Sequence, residues 1–360
     1  MDAESKMKLV KEVGEEIVTE EELAQLLQNK PHPIAYDGFE PSGTDIHIAQ
    51  GIMRAINVNK MTKAGVKFKM LVADWHAWAN NKMSGDLDKI QKVGHYYVEV
   101  WKACGMDLAN VEFVWASDLL NSRDYWKTVM QVARGSTVKR IVRTGQIMGR
   151  SESDVMQASQ IIYPCMQAAD IFHLKADICQ LGMDQRKVNV LAREIGPSIG
   201  FWKPVIVSHH MLMGLNQPQK SDDKDILERT IDLKMSKSRP DTAIFMTDSE
   251  EDIKRKMRKA WCPEGQIAEN PVLEYFRYII FEKYDEIIIE RPEKFGGELL
   301  ISSYADFEKM FAEKQIHPMD AKETAANYIE QLVKPIRESI LNDSKIQKMR
   351  DEIRTFEVTR

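Results

Sequence analysis

Cysteine is scarce in this chain of 360 residues, and its placement excludes two kinds of small-domain scaffold. The four cysteines are far apart and form no Cys-x-x-Cys pair: they are Cys104, Cys165, Cys179 and Cys262. Their spacing therefore indicates neither a disulfide framework nor a cysteine-based zinc site. The sequence predicts reduced thiols, as in the cytosol.

Long apolar runs and a strong excess of one charge are also absent from the sequence. No hydrophobic run approaches the length that spans a membrane. The start, Met-Asp-Ala-Glu-Ser, is too acidic and polar for a secretory signal. The formal net charge of -5 argues against a protein that coats nucleic acid. We therefore expect a cytoplasmic protein with no membrane partner.

What the sequence does contain is a regular alternation of strand and helix patterns. Hydrophobic residues make up 43% of the chain and charged residues 29%, which is typical of a globular protein with a sizeable core. Strands are predicted over 33–36, 66–73, 111–115, 176–181 and 205–207, with helical periodicity between them. This alternation predicts an α/β fold with a doubly wound parallel sheet, whose ligands bind beyond the carboxyl ends of the strands.

The pattern divides the chain into three predicted parts. Residues 1–32 read as a helical segment, with Thr19 and Glu22 spaced as a capping box. Residues 33–247 carry the strand–helix alternation and end in a long polar connection, and residues 248–360 show helical periodicity without strand signals. Ser249 and the acidic residues after it are typical of a helix start, so the last part is predicted to be an all-α domain.

Three polar residues share one face of a predicted helix in the middle of the chain. Tyr163, Gln167 and Asp170 fall at i, i+4 and i+7 among apolar neighbours. If this face is buried, each polar group needs a partner, as in a pocket for a small polar ligand. An amphipathic surface helix would give the same stripe, and these residues alone leave both interpretations open.

Two short segments have the chemistry of phosphate-binding sites. His47 lies where a strand passes into a helix, and backbone N–H groups at a helix start attract anions. The second segment, Lys234-Met-Ser-Lys-Ser238, places two lysines three apart among small hydroxyl residues, an arrangement that can neutralise a polyphosphate. Each has a simpler interpretation, a surface histidine in the first case and a solvated basic loop in the second.

These segments resemble the signature elements of class I aminoacyl-tRNA synthetases. Lys234–Ser238 is similar to their lysine loop, and His47-Ile-Ala-Gln50 is similar to their His-Ile-Gly-His element. Ala49 is still small enough to let adenine approach, whereas Gln50 cannot carry a charge. Further segments extend the resemblance to the archaeal and eukaryotic tyrosyl-tRNA synthetases: Ala35–Gly43, Leu71–Ala77, Tyr163–Asp170, Gly182–Lys187, Arg291–Gly297 and His317–Asp320.

The resemblance implies a Rossmann-like catalytic domain, a helical anticodon-binding domain and a role for each matching residue. The residues implied to bind tyrosine are Tyr36, Glu40, Ala73, His76, Tyr163, Gln167, Asp170 and Gln185. The residues implied to bind ATP are Gly38, His47, Gln50, Gly182, Asp184, Lys234, Met235, Ser236, Lys237 and Ser238. Among the latter, His47, Lys234 and Lys237 are implied to be catalytic. No residue is implied to ligate a metal.

The same resemblance implies that the protein joins L-tyrosine to tRNA(Tyr) through a tyrosyl-adenylate for cytosolic translation. ATP is then a substrate, its Mg²⁺ is carried mainly by the phosphates, and no cofactor is permanently bound. The residues implied to contact tRNA are Arg143, Arg186, Lys187, Phe295 and Asp320. A homodimer is also implied, with contacts from the region around 111–140.

Two other functions fit parts of the same pattern. The sister enzyme for tryptophan shares fold and reaction, but an indole has no phenol hydroxyl for Tyr36 and Asp170 to bind. A catalytically silent RNA-binding relative would not need the lysine loop or the full set of pocket residues. Tyrosine ligation is therefore the function that the sequence favours.

Overall fold

The centre of the molecule is a six-stranded sheet, described by a computed structural model that covers residues 1–148, 156–219, 229, 232–235 and 240–358. Its strands are β1 (Gly14–Val18), β2 (Ile34–Phe39), β3 (Lys67–Val72), β4 (Val111–Trp115), β5 (Ile178–Cys179) and β6 (Val205–His209). Their spatial order is β1-β6-β5-β2-β3-β4. All neighbours are parallel except β1, which runs antiparallel to β6.

Five of these strands confirm the sequence prediction, and with them the α/β fold class. From β2 the chain moves outward through β3 and β4, then returns to the other side of β2 for β5 and β6. The direction of winding therefore reverses between β2 and β5. In sheets of this kind, the crevice at the reversal point is where ligands bind.

The sequence predicted a wholly helical N-terminal segment, but the structure contains a strand there. Helices α1 (Ala3–Val13) and α2 (Glu20–Asn29) flank β1, and the predicted cap of α2 is present, with the Glu22 N–H donating to the Thr19 hydroxyl at 3.2 Å. The five residues of β1 form a strand because they pair with the edge of β6. That partner is almost 200 residues away, so local periodicity could not predict the strand.

Helices cover both faces of the sheet. Those that follow α2 up to β6 are α3 (Arg54–Lys63), α4 (Asp74–Ala79), α5 (Leu87–Ala103), α6 (Ala116–Leu120), α7 (Arg123–Arg134), α8 (Val138–Thr144), α9 (Ala158–His173) and α10 (Arg186–Ile195). A short π-helix, Ala49–Met53, leads into α3. Alternate residues of each strand point to opposite faces. Accordingly Ala35 and Phe39 of β2 pack in one core, whereas Tyr36 packs in the other.

The region after the sheet is mainly helical, as predicted, but also contains a small hairpin. Its helices are α11 (Glu250–Lys259), α12 (Pro271–Tyr275), α13 (Tyr304–Ala312), α14 (Pro318–Asn342) and α15 (Ser344–Ile353), with a π-helix at Phe276–Ile280. Strands β7 (Ile287–Ile289) and β8 (Leu299–Ile301) pair antiparallel. The sequence analysis missed them because three-residue strands are too short for periodicity to reveal. The predicted start of α11 is confirmed by the Ser249 hydroxyl, which caps Asp252 N at 3.1 Å.

The larger hydrophobic core continues from the sheet into this helical region. Phe39 and Val72 of the sheet belong to the same buried cluster as Ile253 of α11, Phe307 of α13 and Ile329 of α14. Helices α14 and α15 both pack against α5. The two regions therefore share one core, and the domain limits 33–247 and 248–360 stay a prediction from sequence. None of the described helices is both long and apolar enough to cross a membrane.

Candidate active site

A cleft opens at the carboxyl ends of β2 and β5, where the winding of the sheet reverses. It has an empty volume of about 1250 Å³, including its open mouth. Most of the predicted binding residues line it: Tyr36, Gly38, Glu40, His47, Gln50, Ala73, His76, Tyr163, Gln167, Asp170, Gly182, Asp184, Gln185, Lys234 and Met235. Three of the predicted residues lie outside the described part of the chain: Ser236, Lys237 and Ser238.

The polar stripe on α9 forms one wall of this cleft. Tyr163 and Gln167 are each 7% exposed, and Asp170 is fully buried. The stripe is therefore not the outer face of an amphipathic surface helix. Of the two interpretations that the sequence left open, the structure supports the pocket.

Asp170 is held at the inner end of the cleft by two side chains from other helices. The Tyr125 hydroxyl of α7 donates to its Oδ1 at 2.7 Å, and His76 Nε2 of α4 lies 2.9 Å from its Oδ2. A carboxylate has about four lone-pair positions, so Asp170 can still accept from a ligand. Tyr125 was missed by the sequence analysis, because nothing in its local pattern points to a partner 45 positions away.

Asp170 raises the pKa of two neighbouring side chains, His76 and Tyr36. Burial lowers the pKa of His76, but the Asp170 carboxylate outweighs burial, and the net pKa is above the usual value. Burial raises the pKa of Tyr36 well above its ordinary range, and the nearby Asp170 raises it further. Tyr36 is thus a neutral phenol. Among the described residues, its hydroxyl has no hydrogen bond of normal geometry, which leaves it available to a ligand.

The opposite wall carries a second polar group with its own support. The Asn80 amide donates to both oxygens of the Glu40 carboxylate, at 3.1 and 3.3 Å. Burial, followed by Glu40, raises the pKa of Tyr163 well above its usual value. The amide of Gln167 donates to the Gln185 side chain at 3.1 Å, so α9 is tied to the turn after β5. These contacts fix the side chains that surround the space above Asp170.

His47 stands at the mouth of the cleft, where the predicted anion site begins. It is 6% exposed, and its backbone forms a bridge with Phe245. The Gln50 N–H donates to the His47 carbonyl at 2.9 Å, and the Trp101 indole N–H donates to the Gln50 carbonyl at 2.6 Å. These bonds tie the start of the π-helix to α5, and His47, Ala49 and Gln50 line the cleft.

Lys234 crosses the cleft from the other side and pairs with Asp184. Their Nζ and Oδ2 atoms are 2.7 Å apart, with 27% of the lysine side chain and 13% of the aspartate side chain exposed. Burial opposes ionisation of Asp184, but Lys234 outweighs it, and the net pKa of the carboxyl is below its usual value. A strong cation and a carboxylate therefore meet where the predicted ribose and phosphate positions adjoin.

The cleft also contains a charged pair that the sequence analysis missed. Arg54 Nε of α3 lies 2.8 Å from Asp37 Oδ2 at the end of β2, and both side chains are largely buried. The guanidinium lies 5.6 Å from the ring centre of Trp101. Burial raises the pKa of Asp37 to about 6, although Arg54 opposes this shift. Asp37 falls inside a matched segment, but its arginine partner is 17 positions away.

The adjacent histidines at the end of β6, His209 and His210, have different partners. His209 Nδ1 lies 2.7 Å from the Gln180 amide, and burial lowers the pKa of His209 to about 3. His210 instead pairs with Glu15 and Glu274. Within the described residues, no three His, Cys, Asp or Glu side chains come together as they would around a metal ion.

The residues predicted to meet an RNA acceptor end lie near one another outside the cleft. Arg143 is exposed on α8. Arg186 Nε donates to Glu16 of β1 at 2.6 Å, and the Lys187 ammonium contacts the Gln146 side chain. Arg186 and Lys187 are the first two residues of α10, which directly follows the turn that contains Asp184.

The two predicted anticodon segments are joined by one arginine. The Arg291 guanidinium donates to the Gly297 carbonyl at 2.8 Å and to the Gln315 carbonyl at 2.9 Å. It therefore connects the turn containing Phe295 with the start of α14, whose first turn contains Asp320. The side chain of Phe295 lies outside the part of the chain that the structure describes.

Comparisons with known proteins agree with this geometry. Residues 28–334 match the family model for tRNA synthetases class I (W and Y). The cytoplasmic tyrosine–tRNA ligase 1 of Arabidopsis thaliana is 49% identical over 100% of this chain and 90% of its own length. The crystal structure of tyrosyl-tRNA synthetase from Pyrococcus horikoshii, complexed with L-tyrosine, superposes with a TM-score of 0.91 at 37% identity, covering 98% of this chain and 100% of that one.

The chain therefore belongs to the class I tRNA synthetases, in the group that comprises the tryptophan and tyrosine enzymes. Within that group, the similarity to named relatives is to the tyrosine branch. A second relative, the tyrosine–tRNA ligase of Thermococcus kodakarensis, is 41% identical over 94% of this chain and 95% of its own length.

Proposed function

We propose that this protein ligates L-tyrosine to tRNA(Tyr) through a tyrosyl-adenylate and releases AMP and pyrophosphate. The observation that carries the proposal is the polar inner end of the cleft. Asp170 and Tyr36 are both fully buried there, and the Tyr36 hydroxyl has no normal hydrogen bond among the described residues. A phenol hydroxyl can donate to Asp170 and accept from Tyr36, which satisfies both groups at once.

The same arrangement explains how phenylalanine would be rejected. Without a hydroxyl, phenylalanine leaves the Asp170 carboxylate and the Tyr36 phenol facing an apolar ring edge. A site that is built to hydrogen-bond a substrate hydroxyl rejects the analogue that lacks it, and tyrosine-specific synthetases are the standard illustration of this rule. Tryptophan is excluded in a different way, because its indole N–H can donate to Asp170 but cannot accept from Tyr36.

In the first step, the tyrosine carboxylate attacks the α-phosphorus of ATP and pyrophosphate leaves. We assign the amino end of tyrosine to Tyr163, Gln167 and Gln185, since these side chains border the space above Asp170. Glu40, Ala73 and His76 complete the tyrosine pocket. Gly38, Gln50, Gly182, Asp184 and Met235 surround the adenosine part of ATP. Positioning of the two substrates then supplies much of the rate enhancement.

Charge stabilisation of the leaving pyrophosphate falls to His47, Lys234 and Lys237. Lys234 pairs with Asp184 at 2.7 Å, and the triphosphate competes with this carboxylate for the ammonium group. An ammonium aimed at oxygens that gain charge in the transition state lowers the barrier. Mg²⁺ arrives with ATP and is held mainly by phosphate oxygens and water.

In the second step, the 2′-hydroxyl of the terminal tRNA ribose attacks the aminoacyl carbonyl, and AMP leaves. Arg143, Arg186 and Lys187 supply positive charge for the acceptor end. Phe295 and Asp320 read the first anticodon base by stacking and hydrogen bonding. We infer that the active form is a homodimer in contact through residues around 111–140. The name of the Arabidopsis relative supports cytoplasmic translation as the setting.

Amino-acid-dependent exchange of pyrophosphate into ATP tests the first step directly. Tyrosine, tryptophan and phenylalanine are supplied separately to the purified protein, and we expect exchange with tyrosine alone. Exchange with tryptophan would assign the protein to the sister enzyme and give Tyr36 and Asp170 other roles. No exchange with any of the three, in folded protein that still binds tRNA, would favour an RNA-binding relative without activity.

A further inference from the structure

His210 joins three parts of the chain at the edge of the cleft. Its ring stacks on Tyr278 at 4.2 Å between centroids, with an interplanar angle of 11°. Nδ1 lies 3.2 Å from Glu15 of β1, and Nε2 lies 3.1 Å from Glu274 of α12. The imidazole therefore connects the sheet to the helical region on one side and to the N-terminal strand on the other.

Glu274 has a second contact that leads toward the catalytic lysine. The oxygen that faces His210, Oε2, also accepts the Met213 backbone N–H at 2.8 Å. Met213 in turn forms an antiparallel bridge with Lys234. The Met235 N–H donates to the Leu212 carbonyl at 2.8 Å, so the pairing extends beyond a single residue.

The carboxylate of Glu274 thus fixes the segment on which Lys234 is aligned. Only one hydrogen bond and one backbone bridge separate Glu274 from Lys234, whose ammonium group reaches Asp184 inside the cleft. Glu274 itself touches no predicted substrate position. Glu274 can therefore affect the reaction through the backbone segment that aligns the lysine.

We propose that Glu274 and His210 are positioning residues for Lys234, which hold the backbone of the lysine segment in register with the cleft. The expected loss of activity in variants of these residues rests on the proposed function, whereas the expected displacement of Lys234 does not. Misplacement of a catalytic group by about 1 Å can cost as much as a hundredfold in rate, so such a support is consequential.

The charges around His210 favour a stable contact. The titratable or charged groups that face it are Glu15, Glu274 and Tyr278, with His209 beside it in the chain and Arg277 at 5.2 Å from the Tyr278 ring. The two carboxylates favour the imidazolium form, and imidazolium can donate from both ring nitrogens. Glu274 and His210 therefore stabilise each other at neutral pH.

The position of Lys234 can be measured without reference to activity. Full-length protein is treated with limiting succinimidyl acetate, and acetylation of Lys234 is followed by mass spectrometry, with the exposed Lys102 as internal standard. We expect Glu274→Ala to raise the Lys234 labelling rate about fivefold, because the segment that pairs with Lys234 loses the hydrogen bond from Met213 N–H to Glu274. Glu274→Gln keeps an oxygen that can accept the Met213 N–H but loses the negative charge beside His210, so it should raise the labelling rate by a smaller factor, and it carries the test if the alanine variant does not fold.

Glu330→Gln is a matched control on α14. Glu330 is paired with Arg337 at 2.6 Å, and its side chain is 11% exposed against 18% for Glu274. This variant should lose stability and keep the wild-type labelling rate at Lys234. Labelling that is unchanged in both Glu274 variants, or raised equally in Glu330→Gln, would overturn the proposal.

Kinetics provide the second readout. In tyrosine-dependent pyrophosphate exchange, Glu274→Ala and His210→Asn should each lower kcat/KM for ATP about tenfold, with the dissociation constant of tyrosine unchanged. A similar, about tenfold rise in the dissociation constant of tyrosine would indicate general distortion of the cleft and contradict a role through Lys234. If wild-type protein shows no exchange, the proposed function fails, and the labelling result still decides the positioning role.

Discussion

At the scale of the single residue, the proposed recognition of tyrosine depends most on Asp170. Its carboxylate is fully buried, accepts from Tyr125 and contacts His76. We expect Asp170→Asn to lower kcat/KM for tyrosine at least about a hundredfold, because the charged acceptor for the substrate hydroxyl is lost. Pyrophosphate exchange measures this loss.

Tyr125→Phe is the companion variant for Asp170. It removes the 2.7 Å hydrogen bond to Asp170 and leaves the carboxylate in place, so tyrosine activation should fall about tenfold, which corresponds to about 1.4 kcal/mol. An unchanged affinity for tyrosine in Asp170→Asn would remove the assignment of this residue to the phenol.

Arg54 illustrates the cost of a charge that loses its partner. Its side chain is 12% exposed and that of Asp37 is 2% exposed. Arg54→Met should lower the free energy of unfolding by about 3 kcal/mol or more at neutral pH, because the Asp37 carboxylate is left buried without its cation. Urea denaturation measures the change. The double variant Asp37→Asn, Arg54→Met should recover part of it.

Lys60→Met on the same helix serves as the comparison for Arg54. Lys60 pairs with Glu12 and Glu282 away from the cleft, and its side chain is 16% exposed. Lys60→Met should lower the free energy of unfolding by less than Arg54→Met, because Glu12 and Glu282 are 39% and 28% exposed to water. Equal losses for the two variants would contradict a special cost of burying Asp37.

At the scale of the element, the contact of His210, directly after β6, with β1 and α12 should make stability depend on pH. Burial lowers the pKa of His210, but the Glu15 and Glu274 carboxylates, at 3.2 and 3.1 Å from its ring nitrogens, outweigh burial and raise the pKa from the ordinary 6.5 to about 9. A raised histidine pKa stabilises the folded state fully below pH 6.5, and this contribution is lost as the pH rises through about 9.

The corresponding measurement is urea unfolding of wild type and His210→Gln at pH 6, 8 and 10. The difference in unfolding free energy between them should shrink by an amount on the order of 3 kcal/mol across this range. Parallel curves for the two proteins would show that His210 is not ionised in the folded state. Other titrating groups are shared by both proteins and cancel in the difference.

Elements with a strong local pattern were predictable, and contacts between distant elements were not. The strands β2 to β6 and the stripe on α9 follow from periodicity and burial within a short window. In contrast, β1 depends on β6 for its strand form, and Tyr125 reaches Asp170 only after α7 packs on α9. The pairs Asp37–Arg54 and Glu274–His210 likewise join segments that no local spacing connects.

At the scale of the whole molecule, the shared core predicts cooperative unfolding. Phe39, Val72, Ile253, Phe307 and Ile329 belong to one buried cluster that extends from the sheet into the helical region. Circular dichroism and tryptophan fluorescence should therefore report a single, coincident transition in urea. Two separated transitions would show that the regions fold independently.

A chain that ends at residue 247 provides a stricter form of the same test. Truncation would uncover the sheet-side members of the cluster, such as Phe39 and Val72, to water. We expect the truncated protein to aggregate or to bind hydrophobic dyes, whereas an independent domain would remain monodisperse and retain tyrosine binding.

The continuous core also limits how this architecture can change over evolutionary time. Recombination succeeds most readily where few contacts cross the junction between two exchanged segments. Here a junction near residue 247 would separate side chains that pack together, so a transplanted helical region would arrive with surfaces shaped for a different sheet. Substitutions on either side of the junction must then be accepted in matched pairs. The two halves are therefore expected to be inherited together, with diversity arising by additions at the surface and not by exchange of modules.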